Sequence, residues 1–221
     1  MKKKIKGVIF DLDGTLIDSG PDLLDSLNFV LKKKYLPEIP NNIIGNLVGG
    51  GAEAMIRRAF EFLNQKIDEE KVSEMINIFL DFYFHNCANK TSFYPNITKI
   101  IKVLHKKNIK LAVCTNKKQF LANKILEEFK VSQFFKVILG SSKNLKLKPS
   151  KEMLVACIKK IELDTSECIM IGDSNNDIIP ANELDIDSIF VNYGYGKLSE
   201  KVIPIHSIDK IEEIFHLYDI N

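Results

Sequence analysis

The chain has 221 residues, of which 45% are hydrophobic, and 31 basic against 29 acidic side chains give a formal net charge of +2. This length suits one large α/β domain or a domain with an insert, and the balanced charge predicts no nucleic-acid partner. No apolar stretch reaches signal-peptide or membrane-spanning length, and the four cysteines form no close-spaced pair, so we expect a cytoplasmic protein with no membrane partner and no cysteine-based metal or redox motif.

The first predicted element is a buried strand, Val8–Phe10, which two acidic residues follow at once. Asp11 and Asp13 stand two positions apart, with Gly14 and Thr15 directly behind them. Like charges held close repel, and a carboxylate without a partner near a core costs free energy. An ordinary Asp–Gly turn is one interpretation, and a metal site with a nucleophile is the other.

The next segment, residues 18–90, contains no strand-like run bounded by turns. Apolar residues recur there at helical spacing in three places. They predict a helix opened by Pro21 and two more helices over Ala52–Leu63 and Glu70–Phe84. An all-helical block inserted after the first strand indicates a cap, which leaves residues 1–17 and 91–221 as the α/β core.

From about Tyr94 onward, short apolar runs alternate with amphipathic stretches. The apolar runs predict strands at Leu111–Cys114, Lys136–Gly140, Cys168–Gly172 and Ser188–Asn192. The amphipathic stretches predict helices at Ile97–Lys107, Lys118–Phe129, Ser150–Ile161, Asn175–Leu184 and Ile208–Tyr218. Apolar strands with intervening helices predict an α/β fold with a Rossmann-like parallel sheet and helices on both faces.

Polar residues follow the predicted strands, where an open parallel sheet binds its ligands. After the later strands they are Thr115, Asn116 and Lys117, then Ser141, Ser142, Lys146 and Lys148, then Asp173 to Asp177. Oxygen ligands suit Mg²⁺, while hydroxyl, ammonium and backbone N–H groups hold phosphate oxygens. Asp11 and Asp173 on opposite sides of one cation would remove the repulsion between the acidic groups.

Four segments of the chain stand out: Asp11–Leu16, Thr115–Asn116, Lys148–Pro149 and Gly172–Asp177. In this order they resemble the four motifs of the haloacid dehalogenase superfamily. The helical block between the first two resembles that superfamily's first type of cap. The resemblance implies a Mg²⁺-dependent phosphate monoester hydrolase that works through an aspartyl-phosphate. A non-enzymatic interaction module is the alternative, and the oligomeric state is left open.

The resemblance also implies a role for each matching residue. Asp11 is the nucleophile, and Asp13 is the acid and base whose backbone carbonyl also binds Mg²⁺. Thr115 and Asn116 hold the phosphoryl group, Lys148 neutralises charge, Asp173 ligates Mg²⁺ and Asp177 acts beside the metal without ligating it. The plainer interpretations are a helix cap for Thr115, a solvated lysine for Lys148 and a helix N-terminal charge pair for the last two aspartates.

Three further segments, Leu47–Ala52, Phe93–Pro95 and Tyr193–Gly196, resemble the bacterial phosphoglycolate phosphatases of that superfamily. This resemblance implies that the partner is a small phosphorylated metabolite, with 2-phosphoglycolate favoured. The alternatives are a phosphatase that acts on a sugar phosphate, a nucleotide or pyrophosphate, and a mutase. The glycine-rich loop at Gly50 and one arginine of the following helix, Arg57, are the candidate cap contacts. Adjacent helical residues point about 100° apart, so at most one of Arg57 and Arg58 faces a substrate. Plain surface charges are the favoured interpretation of the two arginines.

Overall fold

The computed structural model describes residues 2–220, which form two compact units. The core unit contains residues 2–18 and 93–220, and the helical unit contains residues 19–92.

The strands, numbered along the chain, are β1 Gly7–Phe10, β2 Ile17–Asp18, β3 Ser92–Phe93, β4 Lys110–Lys118, β5 Val137–Ser141, β6 Cys168–Gly172, β7 Asp187–Val191 and β8 His206–Ile208. The α-helices are α1 Gly20–Lys33, α2 Ile44–Leu47, α3 Gly51–Phe62, α4 Val72–Asn86, α5 Ile97–Lys106, α6 Gln119–Glu128, α7 Glu152–Ile161, α8 Asn175–Glu183 and α9 Ile214–Leu217. Short 3₁₀ turns connect several of them. No helix among residues 2–220 has the length and apolar character needed to cross a bilayer.

A six-stranded sheet with the order β5-β4-β1-β6-β7-β8 forms the centre of the core unit, and its neighbouring strands are parallel. The predicted parallel α/β fold is therefore confirmed. Phe10 at the end of β1 lies level with Val113 of β4 on one side and Ile171 of β6 on the other. The carboxyl ends of these three strands consequently lie side by side, at the point where the strand order reverses.

Both faces of this sheet are buried, which explains why its strands read as unbroken apolar runs. Every residue of β1 and β6 is buried. On one face, Ile9, Ala112 and Met170 join a single apolar cluster with buried residues of α7 such as Leu154. Alternate strand residues point to opposite faces, so burial on both faces requires apolar residues in succession.

The helix predicted over Ile208–Tyr218 is only partly confirmed, because it begins later and its α-helical part is shorter than expected. Ile208 ends the edge strand β8, and a 3₁₀ turn at Ile211–Glu213 leads into the four-residue helix α9. Ile208, Ile211, Ile214 and Tyr218 are all buried, and their three- and four-residue spacing imitates a helical face. The Glu213 carboxylate accepts hydrogen bonds from the backbone N–H groups of residues 209 and 210. These two bonds stabilise the turn that follows β8.

Strand β4 is longer than the run Leu111–Cys114 predicted for it, and it includes Lys118, where the next helix was expected to begin. Its pairing with β5 shifts register between Cys114 and Lys118. Such a bulge inserts extra residues on one strand and redirects their side chains. The polar residues after Cys114 are therefore part of an irregular strand end and not of a free loop.

The helical unit packs α1, α3 and α4 around buried apolar side chains that include Leu27, Met55 and Phe79. The carboxylate of Asp22, in the first turn of α1, is buried in the same unit. It accepts the backbone N–H groups of Lys90 and Thr91 and the Thr91 hydroxyl, at 2.7–3.0 Å. One carboxylate thus ties together the two ends of the unit.

Candidate active site

Asp11 lies immediately beyond β1, where its backbone N–H donates to the carbonyl of Ile171 at 2.9 Å and continues the parallel ladder. Gly14 follows in a left-handed conformation, with φ at +83°. A Cβ on Gly14 would lie 2.2 Å from a carboxylate oxygen of Asp173. Glycine is required there because the turn after β1 approaches the end of β6 too closely for a side chain.

Lys148 is a buried cation of the site, and its side chain is only 1% exposed. Its Nζ donates to Asp11 Oδ1 at 2.9 Å, to Asp177 Oδ1 at 2.5 Å and to the carbonyl of Cys114 at 2.6 Å. An ammonium has three donors, so all three are used. Burial works to lower the pKa of Lys148, but the charges of Asp11 and Asp177 outweigh it and raise the pKa above its ordinary value.

Asp173 follows β6 and is held by the backbone of the segment after β7. Its Oδ2 accepts the N–H groups of Tyr195 at 2.9 Å and Gly196 at 3.0 Å. Gly194 permits this approach, since a Cβ there would lie 2.3 Å from the Cβ of Asp173. Burial, with the charges of Asp177 and Asp11, raises the pKa of Asp173 to about 7.

Asp177 is fully buried in the first turn of α8. One of its oxygens accepts from Lys148, and the other accepts the backbone N–H of Ser174 at 3.1 Å and its hydroxyl at 2.9 Å. Both oxygens are thus engaged by the protein. Asp177 is placed to hold Lys148 and the start of α8.

The carboxylates of Asp11, Asp173 and Asp177 each offer an oxygen, and these oxygens lie within 4.8 Å of one another. Lys148 supplies one positive charge against three negative ones. Burial raises the pKa of Asp11 above its ordinary range even though the Lys148 charge opposes the shift. A hard divalent cation would relieve this crowding, and its preferred ligands are the oxygens that the cluster presents.

Thr115 and Asn116 lie in the bulge at the end of β4. Thr115 is buried, and its hydroxyl accepts the backbone N–H of Lys117 at 3.2 Å. The side chain of Asn116 accepts the backbone N–H of Lys148 at 2.9 Å and donates to the carbonyl of Lys148 at 2.7 Å. This two-way bond fixes the backbone that carries Lys148 against the end of β4.

The sequence of most of the core unit and of the whole helical unit matches one known family of proteins. The model of the haloacid dehalogenase-like hydrolases matches residues 8–191, which include all four motifs and the helical unit. The chain belongs to the haloacid dehalogenase-like hydrolase family. The protein is therefore a hydrolase, and the resemblance drawn from the sequence motifs is confirmed.

Named relatives within the hydrolase family are similar over most of their length. The phosphoglycolate phosphatase of Caulobacter vibrioides is 32% identical over 85% of this chain and 79% of its own. The phosphoglycolate phosphatase of Agrobacterium fabrum is 35% identical over 85% of this chain and 80% of its own. A crystal structure from Haemophilus somnus, described as a "predicted phosphoglycolate phosphatase", superposes with a TM-score of 0.88 at 28% identity, over 96% of this chain and 97% of that one.

The hydrolase site contains contacts that the motifs did not indicate. Lys117 Nζ lies 2.7 Å from Asp13 Oδ1, 104 residues away in sequence. Tyr193 donates its hydroxyl to the carbonyl of Thr15 at 3.1 Å. Lys117 and Tyr193 lie in segments that carry sequence motifs, but no spacing rule pairs residues so far apart.

Gly50 and Arg57, the predicted cap contacts, belong to the helical unit. Gly50 precedes α3 with φ at +79°, and a Cβ there would lie 2.9 Å from the Cβ of Ala54. The guanidinium of Arg57 pairs with Glu53 at 2.9 Å and Glu69 at 2.8 Å.

The neighbouring Arg58 donates through Nη1 to the carbonyls of Leu47 and Gly49, at 2.9 and 2.7 Å. Both arginines thus have partners within the helical unit. A substrate contact by Gly50 or Arg57 stays a prediction.

Proposed function

We propose that this hydrolase is a Mg²⁺-dependent phosphatase that cleaves phosphate monoesters through an aspartyl-phosphate on Asp11. The buried pair of Asp11 and Lys148, next to Asp173, supports this proposal most directly. It combines a nucleophilic carboxylate with a fixed cation at the edge of the sheet where parallel α/β folds bind ligands.

The first step transfers the phosphoryl group to the enzyme. A carboxylate oxygen of Asp11 attacks phosphorus, the bond from phosphorus to the ester oxygen breaks, and that oxygen takes the proton of Asp13 as it leaves. Lys148 lowers the repulsion between the anionic nucleophile and the anionic ester. Thr115 and Asn116 hold the oxygens of the phosphoryl group.

The second step returns the enzyme to its starting form. Asp13, now a carboxylate, accepts a proton from water while the water oxygen attacks phosphorus. The bond from phosphorus to the Asp11 oxygen breaks, which releases inorganic phosphate and restores the Asp11 carboxylate. One residue thus acts as acid and then as base.

Asp11, Asp173 and the backbone carbonyl of Asp13 are the groups that would hold Mg²⁺. When bound, the ion offsets negative charge on the nucleophile and on the phosphoryl oxygens. Asp177 does not take this role directly, because Lys148 and Ser174 engage its two oxygens. It keeps Lys148 in place instead.

We infer that the substrate is a small phosphorylated metabolite, with 2-phosphoglycolate favoured. The names of the relatives from Caulobacter vibrioides and Agrobacterium fabrum support this choice. A sister phosphatase or mutase for sugar phosphates, nucleotides or pyrophosphate is the competing function. A cytoplasmic location and the absence of nucleic-acid and membrane partners remain predictions.

A substrate panel tests the proposal. We expect 2-phosphoglycolate to rank first or second by kcat/KM among hexose phosphates, nucleoside monophosphates, pyrophosphate and phosphoglycolate, with no turnover in EDTA. Inorganic phosphate release measures the rates. Rapid hydrolysis of another member with little phosphoglycolate turnover would reject the substrate but keep the chemistry, whereas undiminished turnover in EDTA would reject the metal.

Binding of Mg²⁺ should stabilise the protein more at pH 8 than at pH 5.5. The pKa of Asp173 is raised to about 7 in the metal-free fold, above its unfolded value. The stability associated with this group is therefore complete below the unfolded pKa, near 4, and declines as pH rises through about 7. Mg²⁺ prefers the ionised carboxylate, so protons compete with it at low pH.

Thermal unfolding in EDTA and in excess Mg²⁺, at both pH values, measures this effect. We expect the rise in Tm on adding Mg²⁺ to be larger at the higher pH, and to disappear in Asp173→Asn. An equal rise at both pH values would contradict the competition between protons and metal.

A further inference from the structure

A second buried lysine, Lys117, lies in the site without a role in the proposed reaction. Its Nζ is 2.7 Å from Asp13 Oδ1, and its side chain is 5% exposed, against 21% for Asp13. A buried ammonium is costly unless paired and hydrogen-bonded. Lys117 is thus committed to a position beside the carboxyl group that gives and takes the proton.

The fold holds Lys117 in place through its backbone. It lies in the bulge of β4, where the register with β5 shifts. Gly140 of β5 allows this approach, since a Cβ there would lie 2.8 Å from the carbonyl oxygen of Lys117 and 2.6 Å from the Cα of Gln119.

Gln119 fixes the other side of the bulge. Its side chain accepts the backbone N–H of Gly140 at 2.7 Å and donates to the carbonyl of Ile138 at 3.0 Å. The bulge is therefore attached to β5 on both sides of Lys117, through the pairing of Cys114 with Leu139 and through the side chain of Gln119. The ammonium of Lys117 is therefore placed beside Asp13 by a strand end that is hydrogen-bonded to its neighbouring strand.

We propose that Lys117 is a positioning residue that orients the Asp13 carboxyl group toward the ester oxygen of the substrate. The inference rests on the proposed function, in which Asp13 protonates that oxygen. Proton transfer needs donor and acceptor within hydrogen-bond reach in the transition state, and small displacements are costly. With one carboxylate oxygen held by Lys117, rotation of Asp13 is restricted and its other oxygen keeps a fixed direction.

The acidity of the leaving group separates this role from direct binding of substrate by Lys117. A leaving oxygen of low basicity departs without much help from a proton, whereas a basic one depends on it. A residue that acts through Asp13 therefore matters more as the leaving group becomes more basic. A residue that holds phosphoryl oxygens contributes equally to every ester of phosphate.

The experiment is kcat/KM for Lys117→Met over a series of ring-substituted phenyl phosphates, whose phenols differ in acidity and which carry no carboxylate. We expect a loss of a few fold for the most acidic phenol, growing to about 10²-fold for the least acidic, within the range of general acid catalysis. Asp13→Asn should show the same trend more steeply. Lys117→Arg, which keeps the charge, should lie between wild type and Lys117→Met.

Lys124→Met is the matched control. Lys124 Nζ lies 3.0 Å from a carboxylate oxygen of Glu128 in a partly exposed ion pair on α6. Its removal should leave the rate for every ester unchanged. Equal losses for all the esters would overturn the inference while leaving the phosphatase function intact. If Lys117→Met does not fold by circular dichroism, the trend in Lys117→Arg decides in the same way. Absence of hydrolysis in the wild-type protein would reject the proposed function itself, and the role of Lys117 with it.

Discussion

Replacement of Asp11 by Asn should lower kcat for phosphate esters by about 10⁴-fold or more, because an amide cannot serve as the attacking oxygen. The substitution keeps the shape of the side chain and removes one of the buried negative charges. Lys148 retains Asp177 and the Cys114 carbonyl as acceptors, so the fold should persist. Single-turnover hydrolysis of an aryl phosphate with Mg²⁺ measures the loss.

Two further measurements make this test specific. The exposed pair of Asp25 and Lys90, at 2.6 Å, provides the matched change Asp25→Asn, which should leave kcat within about twofold of wild type. Acid-stable trapping of labelled phosphate on the protein should succeed with wild type and fail with Asp11→Asn. Retention of a tenth of wild-type activity by the Asn variant would remove Asp11 from the nucleophile's role.

The sequence predicted the core of the fold well because its strands are buried on both faces. Val8–Phe10 and Cys168–Gly172 are recognisable as apolar runs without alternation, and the polar residues behind them mark the strand ends. Parallel strands bring those ends to one edge regardless of their separation in sequence. That single property explains why Asp11, Asp173 and Lys148 could be grouped before their distances were known.

Features fixed by long-range contact were not predictable in the same way. The edge strand β8 has three residues, which is too few to show the alternation typical of a strand. Buried isoleucines at helical spacing follow it, so the sequence pattern predicted a helix there instead. The bulge of β4 depends on Gly140 and Gln119, which no local pattern links to Lys117. The partners of Arg57 likewise follow from the packing of its helix and not from its place in the sequence.

Replacement of Lys148 by Met should destabilise the metal-free protein by about 3–5 kcal/mol, because it leaves the buried carboxylates of Asp11 and Asp177 without their cation. For a chain of this size the corresponding fall in Tm is on the order of 10 °C. Asp177→Asn alone should cost less, since Lys148 would keep Asp11 as its ionic partner. Denaturant unfolding in EDTA measures the loss of stability in both variants.

The double variant, Lys148→Met with Asp177→Asn, separates stability from catalysis. Removing the Asp177 charge should restore part of the stability lost with Lys148, so the two changes combined should cost less than their sum. Activity should not return, because the nucleophile and the phosphoryl group still lack the ammonium that offsets their charges. Strictly additive losses of stability would show that Lys148 and Asp177 are not coupled, whereas recovered turnover would assign Lys148 to the fold alone.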